Sequence, residues 1–408
     1  MILNSINKKL LYILLLISIY LAIFGPKIKN FIDLTYFFSF FYAIYGLYFA
    51  IKSRIYLYVK LFILSSIITN LSLFIININN IDEIIYLSNN LLKSCFFMLT
   101  AFGIYKTLLN LHTDKLKILK FLLNLAIITV SIIIAIVLIE DLRLFIYDNI
   151  VLFLYKDVYT YYELERFSDL SIGGTAISIL FVISYLINNY LKKYFHKNLK
   201  YEILYPILLL IGTVLTARTG FILMLIMMII NYSIGKYLIF ITIIAIVLIL
   251  LYFTSLNETI TIMEKDIFLS WAFEPFMNLF TIGSFTSISS NSVINQFRFS
   301  DSLYDLLIGT GKIKDGYGAM DSLFMQIINS SGLIVFFIFL INYVIYFGFI
   351  FLNKNQLRQK YYISLIMIIV TIANLKDEYF GDSRGAFTFA AIFILYLLDD
   401  KFYKKNNV

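Results

Sequence analysis

Apolar runs of about 20 residues follow one another almost from end to end of this chain, separated by short polar turns. A run of that length crosses ~30 Å of hydrocarbon as a helix, the one open-ended structure that satisfies its own backbone in lipid. No period-two alternation passes through the runs, which excludes the pattern of an outer-membrane barrel. Composition agrees: 61% of the 408 residues are hydrophobic, against about 45–50% in soluble domains. The sequence therefore predicts an all-α polytopic membrane protein, with residues 1–408 forming one integral membrane domain.

Twelve spans thread consistently, at 10–25, 31–51, 57–76, 88–109, 119–139, 172–190, 202–216, 219–234, 237–254, 332–352, 361–375 and 385–398. If both termini share one side, the loops beginning at Lys52, Leu111, Leu191, Gly235 and Asn353 lie there too. That side gathers more than half of the chain's 33 lysines and arginines and few of its 25 acids. The positive-inside rule makes it cytoplasmic. The net charge of +8 then reflects sided loops, and no nucleic-acid partner is expected. Lys8 and Lys9 followed by Leu10 to Gly25 resemble a signal peptide, but no small-x-small cleavage site follows, so this is read as an uncleaved first span. The single cysteine, Cys95, excludes a disulfide within the chain.

Two long segments fall on the outer side, about 140–171 and 255–331. Each holds an apolar, aromatic stretch, Leu144–Tyr155 and Ile267–Phe280, expected to lie along the membrane surface. Long ordered loops are usually functional. Chemistry there is limited by what the chain supplies. His112 and His196 both sit among lysines in cytoplasmic loops, so Ser-His-Asp catalysis and a histidine zinc site are disfavoured outside. Outer-face acid–base work falls to carboxylates, Tyr or Lys. Gly309 to Gly318 faintly resembles a phosphate loop, but Ile313 follows Lys312 where Ser or Thr is needed. No cofactor and no metal are expected.

The arginines carry more information. Arg166, Arg218, Arg298 and Arg384 all lie at the outer ends of spans. Guanidinium is permanently charged and matches phosphate oxygens two at a time, so such a set suits a diphosphate; the alternative for each is a headgroup anchor. Arg218 stands within a nearly continuous apolar stretch, where an arginine at a helix centre costs ~2.5–3.5 kcal/mol on insertion scales. The segment Thr216-Ala-Arg-Thr-Gly220 is expected to turn between two short spans, so that Arg218 faces a polar cavity beside a helix N-terminus. Opposing carboxylates are Glu163, Glu165, Asp301, Asp305 and Asp321. Asp321 is expected either to cap an amphipathic helical turn running into the tenth span or to act as a general base. Phe297, Tyr304, Tyr317 and Trp271 are candidates to stack on sugar faces.

The Thr-x-Arg-Thr-Gly opening a span, the arginine upstream of the sixth span, and the long loop ending in Gly-x-Gly and Asp321-Ser322-x9-Gly332 resemble bacterial O-antigen polymerases (Wzy-type) and O-antigen ligases. The resemblance runs from about Tyr161 to Leu352. It implies a GT-C-like glycosyltransferase with about 12 transmembrane helices and two large outer-face loops, in the bacterial cytoplasmic (inner) membrane with both termini cytoplasmic. The substrate it implies is an oligosaccharide linked to undecaprenyl diphosphate, in lipopolysaccharide or capsule biosynthesis, with a chain-length regulator and a flippase as candidate partners. Ligases carry a histidine where Asp321 stands, so the departure points towards a repeat-unit polymerase; Val335 departs from a further family glycine. By resemblance, Arg218 and Asp321 are the catalytic candidates. Arg166, Arg298, Arg384, Ser322, Glu165 and Asp301 are the substrate-binding ones. An O-antigen-type ligase is the first alternative and a polysaccharide or lipid transporter the second.

Overall fold

The computed structural model describes residues 2–26, 28, 32–52, 57–76, 81–111, 115–139, 141–142, 145, 174–192, 200–231, 278, 283, 297, 299–300, 302–310, 322–352, 357–376 and 385–399. The described residues form helices joined by turns, with no strand among them. In chain order they are α1 (Ile2–Phe24), α2 (Leu34–Lys52), α3 (Leu57–Ile76), α4 (Ile81–Leu111), α5 (Lys115–Leu138), α6 (Gly174–Lys192), a π-turn (Lys200–Leu204), α7 (Tyr205–Thr216), α8 (Arg218–Asn231), α9 (Leu303–Ile308), α10 (Leu323–Leu352), α11 (Leu357–Lys376) and α12 (Gly385–Leu398). Every expected span but the ninth coincides with one of these helices; that one, 237–254, lies outside the described residues. Five helical stretches, Leu34–Lys52, Leu91–Leu111, Leu116–Ile136, Gly174–Lys192 and Leu323–Ile341, are long and apolar enough to cross a membrane. This is the character of a multi-pass helical membrane protein.

Helix α2 is amphipathic in reverse. On α2 the outward residues are Phe40, Phe41, Ile44, Tyr48 and Ile51, while Thr35, Ser39, Ala43, Gly46 and Ala50 are buried. Large apolar groups outside and small or hydroxyl groups inside suit helices that associate in hydrocarbon, where close packing replaces the hydrophobic effect. The contact of α2 with α4 shows how close: a Cβ on Gly46 would overlap the carbonyl oxygen of Leu99, and one on Gly103 that of Tyr42. Thr100 Oγ1 donates to the Ser39 carbonyl at 3.1 Å across the same seam.

Contacts between helix ends sort the bundle into two faces. At one, Lys115 Nζ at the start of α5 lies 3.0 Å from Asp399 Oδ2, just after α12. Tyr105 near the end of α4 donates to the same carboxylate at 2.9 Å. On that face the Arg358 guanidinium, at the start of α11, donates to the Tyr190 carbonyl near the end of α6 and lies over its ring. Tyr361 Oη is 3.2 Å from Asn231 Oδ1, where α8 ends. At the other face Gly385, opening α12, presses against the Ile23 carbonyl at the end of α1, and Thr35 Oγ1 donates to Gly25. These pairings join ends that strict alternation of spans places together.

The Lys115–Asp399 pair is nearly buried, with side chains 9% and 7% exposed. Removing one partner of such a pair costs about 3–5 kcal/mol, because the other charge stays buried and unpaired. Asp399→Ala is therefore expected to lower the melting temperature of detergent-solubilised protein markedly, and a Lys115→Met/Asp399→Leu double variant to recover most of the loss. A single variant as stable as the parent would show the pair to be incidental.

Several helices start before their expected limits, α1 at Ile2 among them, and the start of α10 bears on the site. Helix α4 starts at Ile81, seven residues before 88. Helix α10 starts at Leu323, nine before 332, so the end of the 255–331 segment is helical. The helix breaks at Gly332, whose φ of 77° and ψ of 174° no other residue type adopts readily. The first half, Leu323 to Ser331, is buried almost all round rather than amphipathic, with Leu323, Phe324, Met325, Gln326, Ile327 and Ile328 all inside. Its N-cap is Ser322, not Asp321: Met325 N–H donates to Ser322 Oγ at 3.4 Å and Gln326 N–H to the Ser322 carbonyl at 2.9 Å.

Candidate functional site

The turn Thr216-Ala217-Arg218 is the sharpest feature of the face opposite Asp399. α7 ends at Thr216, Ala217 is extended (φ −163°, ψ 140°), and α8 begins at Arg218, so one residue separates two helices. Ala217 N–H still donates to Thr213 at 3.1 Å, and its carbonyl accepts from Phe221 N–H at 3.1 Å. Thr216 Oγ1 donates to Gly212 at 2.7 Å. Thr213, Thr216 and Ala217 are all buried, so the turn is packed within the end of the bundle. At 1.5 Å per residue the described parts of α7 and α8 run about 18 and 21 Å, and the π-turn Lys200–Leu204 leads directly into α7. The first amides of α8 and its positive dipole end fall at this turn.

Helix α6 holds the turn in place. Gly220 sits against Ser178, where a Cβ would overlap the serine side chain. Ser178 lies in the second turn of α6 and turns its own hydroxyl back to Thr175 O at 2.7 Å. Helix α6 packs in turn on α11 and α12, and α11 packs on α10. Where α10 begins, Ser322 Oγ donates to the Asn374 carbonyl at 3.4 Å, close to the end of α11. The starts of α6, α8, α10 and α12 and the end of α11 thus gather at one end of the bundle. Buried polar groups there among the described residues are hydroxyls and amides: Thr175, Ser178, Thr216, Ser322, Gln326 and Asn374.

The sequence candidates relate to this cluster by chain position. Arg218 opens α8. Asp321 precedes the fully buried Ser322, and Arg384 precedes Gly385 at the start of α12. Asp321, Arg384, Arg166, Glu163, Glu165, Arg298 and Asp301 themselves lie outside the described residues, as do His112, His196, Trp271, Tyr317 and most of the 140–171 and 255–331 segments. Ser322 is held by a helix cap and by Asn374, which gives it a structural task in the start of α10.

Sequence reasoning missed two features. The first is a small, largely apolar pocket of about 60 Å³, open at its mouth, between α3, α4, α10, α11 and α12. Ser65, Ser66, Thr69 and Ser94 line it along one side, and Phe387 brings it to within three residues of Arg384. Thr69 and Ser94 turn their hydroxyl hydrogens to carbonyls of their own helices, at 3.0 and 2.6 Å. Serines on α3 and α4 gave no signal because the residues that oppose them are far away in sequence.

The second is the docking of residues 302–310 on the break in α10. Ser302 caps α9 through the Asp305 amide at 3.4 Å. Beyond α9, Gly309 (φ 90°) lies against the backbone of Ser330 and Ser331, and Gly332 lies against the carbonyl of Leu307. Thr310 donates both its N–H (2.8 Å) and its Oγ1 (3.0 Å) to the Asn329 carbonyl. In an unbroken helix that carbonyl would accept from Leu333; here Thr310 supplies the donors. No family model, curated protein or solved structure matches this chain.

Proposed function

We propose that this chain is a polysaccharide repeat-unit polymerase of the bacterial cytoplasmic membrane, with the Arg218 face outside. It moves a glycan from undecaprenyl diphosphate to the non-reducing end of another lipid-linked repeat unit. The observation that carries this reading is the gathering, at one end of the bundle, of the helix ends that bear Arg218 or directly follow Asp321 and Arg384. A diphosphate leaving group develops negative charge as the glycosidic bond breaks. Arginines and a helix N-terminus fixed in advance around that charge stabilise it without reorganising.

Each part has one role in this scheme. Arg218, with Arg384, Arg166 and Arg298, neutralises the diphosphate. Asp321 takes the proton from the attacking sugar hydroxyl, and Glu165, Asp301 and Ser322 line the acceptor side. A one-sided site also argues against a transporter, which needs polar groups along a two-sided path.

Deleting the gene and resolving surface polysaccharide on a gel tests the reading. A polymerase deletion is expected to leave single repeat units on the final acceptor. Polymer stranded on its lipid carrier would point to a ligase, absence of both from the surface to a transporter, and a normal ladder would refute all three.

A further inference from the structure

The segment around α9 turns large apolar side chains outward. Phe297 is 40% exposed, Phe299 54%, Leu303 71%, Tyr304 67% and Leu307 40%. An exposed apolar patch of this kind marks a surface with a partner. Two partners suit aromatic groups at this end of the bundle, the sugar acceptor or the membrane itself, and continuity with α10 favours the second. Just past the break, α10 exposes Ile334, Phe337 and Ile341, three and four residues apart on one face. In a membrane-spanning helix such a stripe faces lipid. Gly332, on which α9 rests, is two residues before Ile334, or about 3 Å along the helix. α9 therefore sits at the level along α10 where the lipid-facing stripe ends.

We propose that Phe297 to Thr310 is a membrane-surface strap, whose outward apolar face lies at the boundary of headgroups and acyl chains while its inner side closes the break in α10. Charge does not drive the contact. By sequence the stretch holds one basic residue, Arg298, and two acids, Asp301 and Asp305, so anionic lipid is not required and salt does not release it. Tyr304 suits that depth because its ring is apolar while its hydroxyl tolerates water, and the phenylalanines and leucines beside it suit the acyl-chain side of the boundary.

The test uses the full chain in phosphatidylcholine nanodiscs. Cys95→Ala removes the native thiol, and Tyr304→Cys or, separately, Leu303→Cys supplies a site for an environment-sensitive fluorophore. Both positions are more exposed than buried, so either label leaves the fold intact; Phe337→Cys serves as the lipid-facing reference. Lipids bearing a nitroxide high on the acyl chain are expected to quench the strap label severalfold more strongly than aqueous iodide, at low and high salt alike. Preferential quenching by iodide at both strap positions, with Phe337 still quenched by lipid, would overturn the proposal and return these side chains to the aqueous site as sugar contacts. Lipid quenching lost at high salt would also overturn it, because the contact would then be electrostatic.

Discussion

Arg218→Ala is expected to abolish polymer while the yield of folded, monodisperse protein stays at the parent level. The two halves of this result rest on different features. Stability is spared because what holds the turn is backbone and small side chains: the Ala217 bonds to Thr213 and Phe221, the Thr216 hydroxyl on Gly212 and Gly220 on Ser178. These contacts are made by other residues; the Arg218 side chain itself lies outside what the structure describes. Activity is lost because, under the polymerase reading, the guanidinium meets charge that develops only as the diphosphate departs. Removing one preorganised donor of that kind costs about 10²–10³ in rate. Arg218→Lys keeps the charge but replaces a planar fork with a point, and is expected to remain strongly impaired. The checks are a surface-polysaccharide gel with protein quantified in the same membranes, and turnover of a synthetic lipid-diphosphate donor. Full ladders from Arg218→Ala would reduce the residue to a headgroup anchor.

The sequence made most of the bundle legible because hydrocarbon imposes one simple rule on each span, and the apolar runs obey it. The expected limits 57–76 and 385–398 are those of α3 and α12. The turn before Arg218 was legible for the same reason: a run of apolar residues containing an arginine cannot be one span, and Ala217 does break it. What stayed hidden depends on residues distant in sequence. Asp and Ser cap helices about equally well, so the sequence could not single out Ser322, which caps α10 and also donates to the Asn374 carbonyl some fifty positions on. Reverse amphipathy on α2 was equally invisible, since its seam with α4 is written in glycine and hydroxyls that hydropathy scores poorly. The proposed grouping of arginines is read from chain order, and the chemistry proposed for it rests on the family resemblance.

The break in α10 supplies the other large effect. Gly332→Ala meets two separate penalties: a Cβ at φ 77° and ψ 174° is strained, and it would overlap the Leu307 carbonyl. The strain alone is about 1–3 kcal/mol. The overlap is with backbone, so no rotamer relieves it and α9 has to lift from the break. Lifting α9 takes Thr310 from the Asn329 carbonyl and leaves a helix end near hydrocarbon without donors. Gly283→Ala offers a comparison at another positive φ. Its φ is 74°, and among the described residues nothing lies within 4 Å of where its Cβ would be. The expected result is a small fall in melting temperature for Gly283→Ala and a much larger one for Gly332→Ala. Faster hydrogen exchange in Leu323 to Ser331 should accompany the second change only. Equal effects at the two glycines would mean that backbone strain, and not the seating of α9, accounts for the glycine at the break.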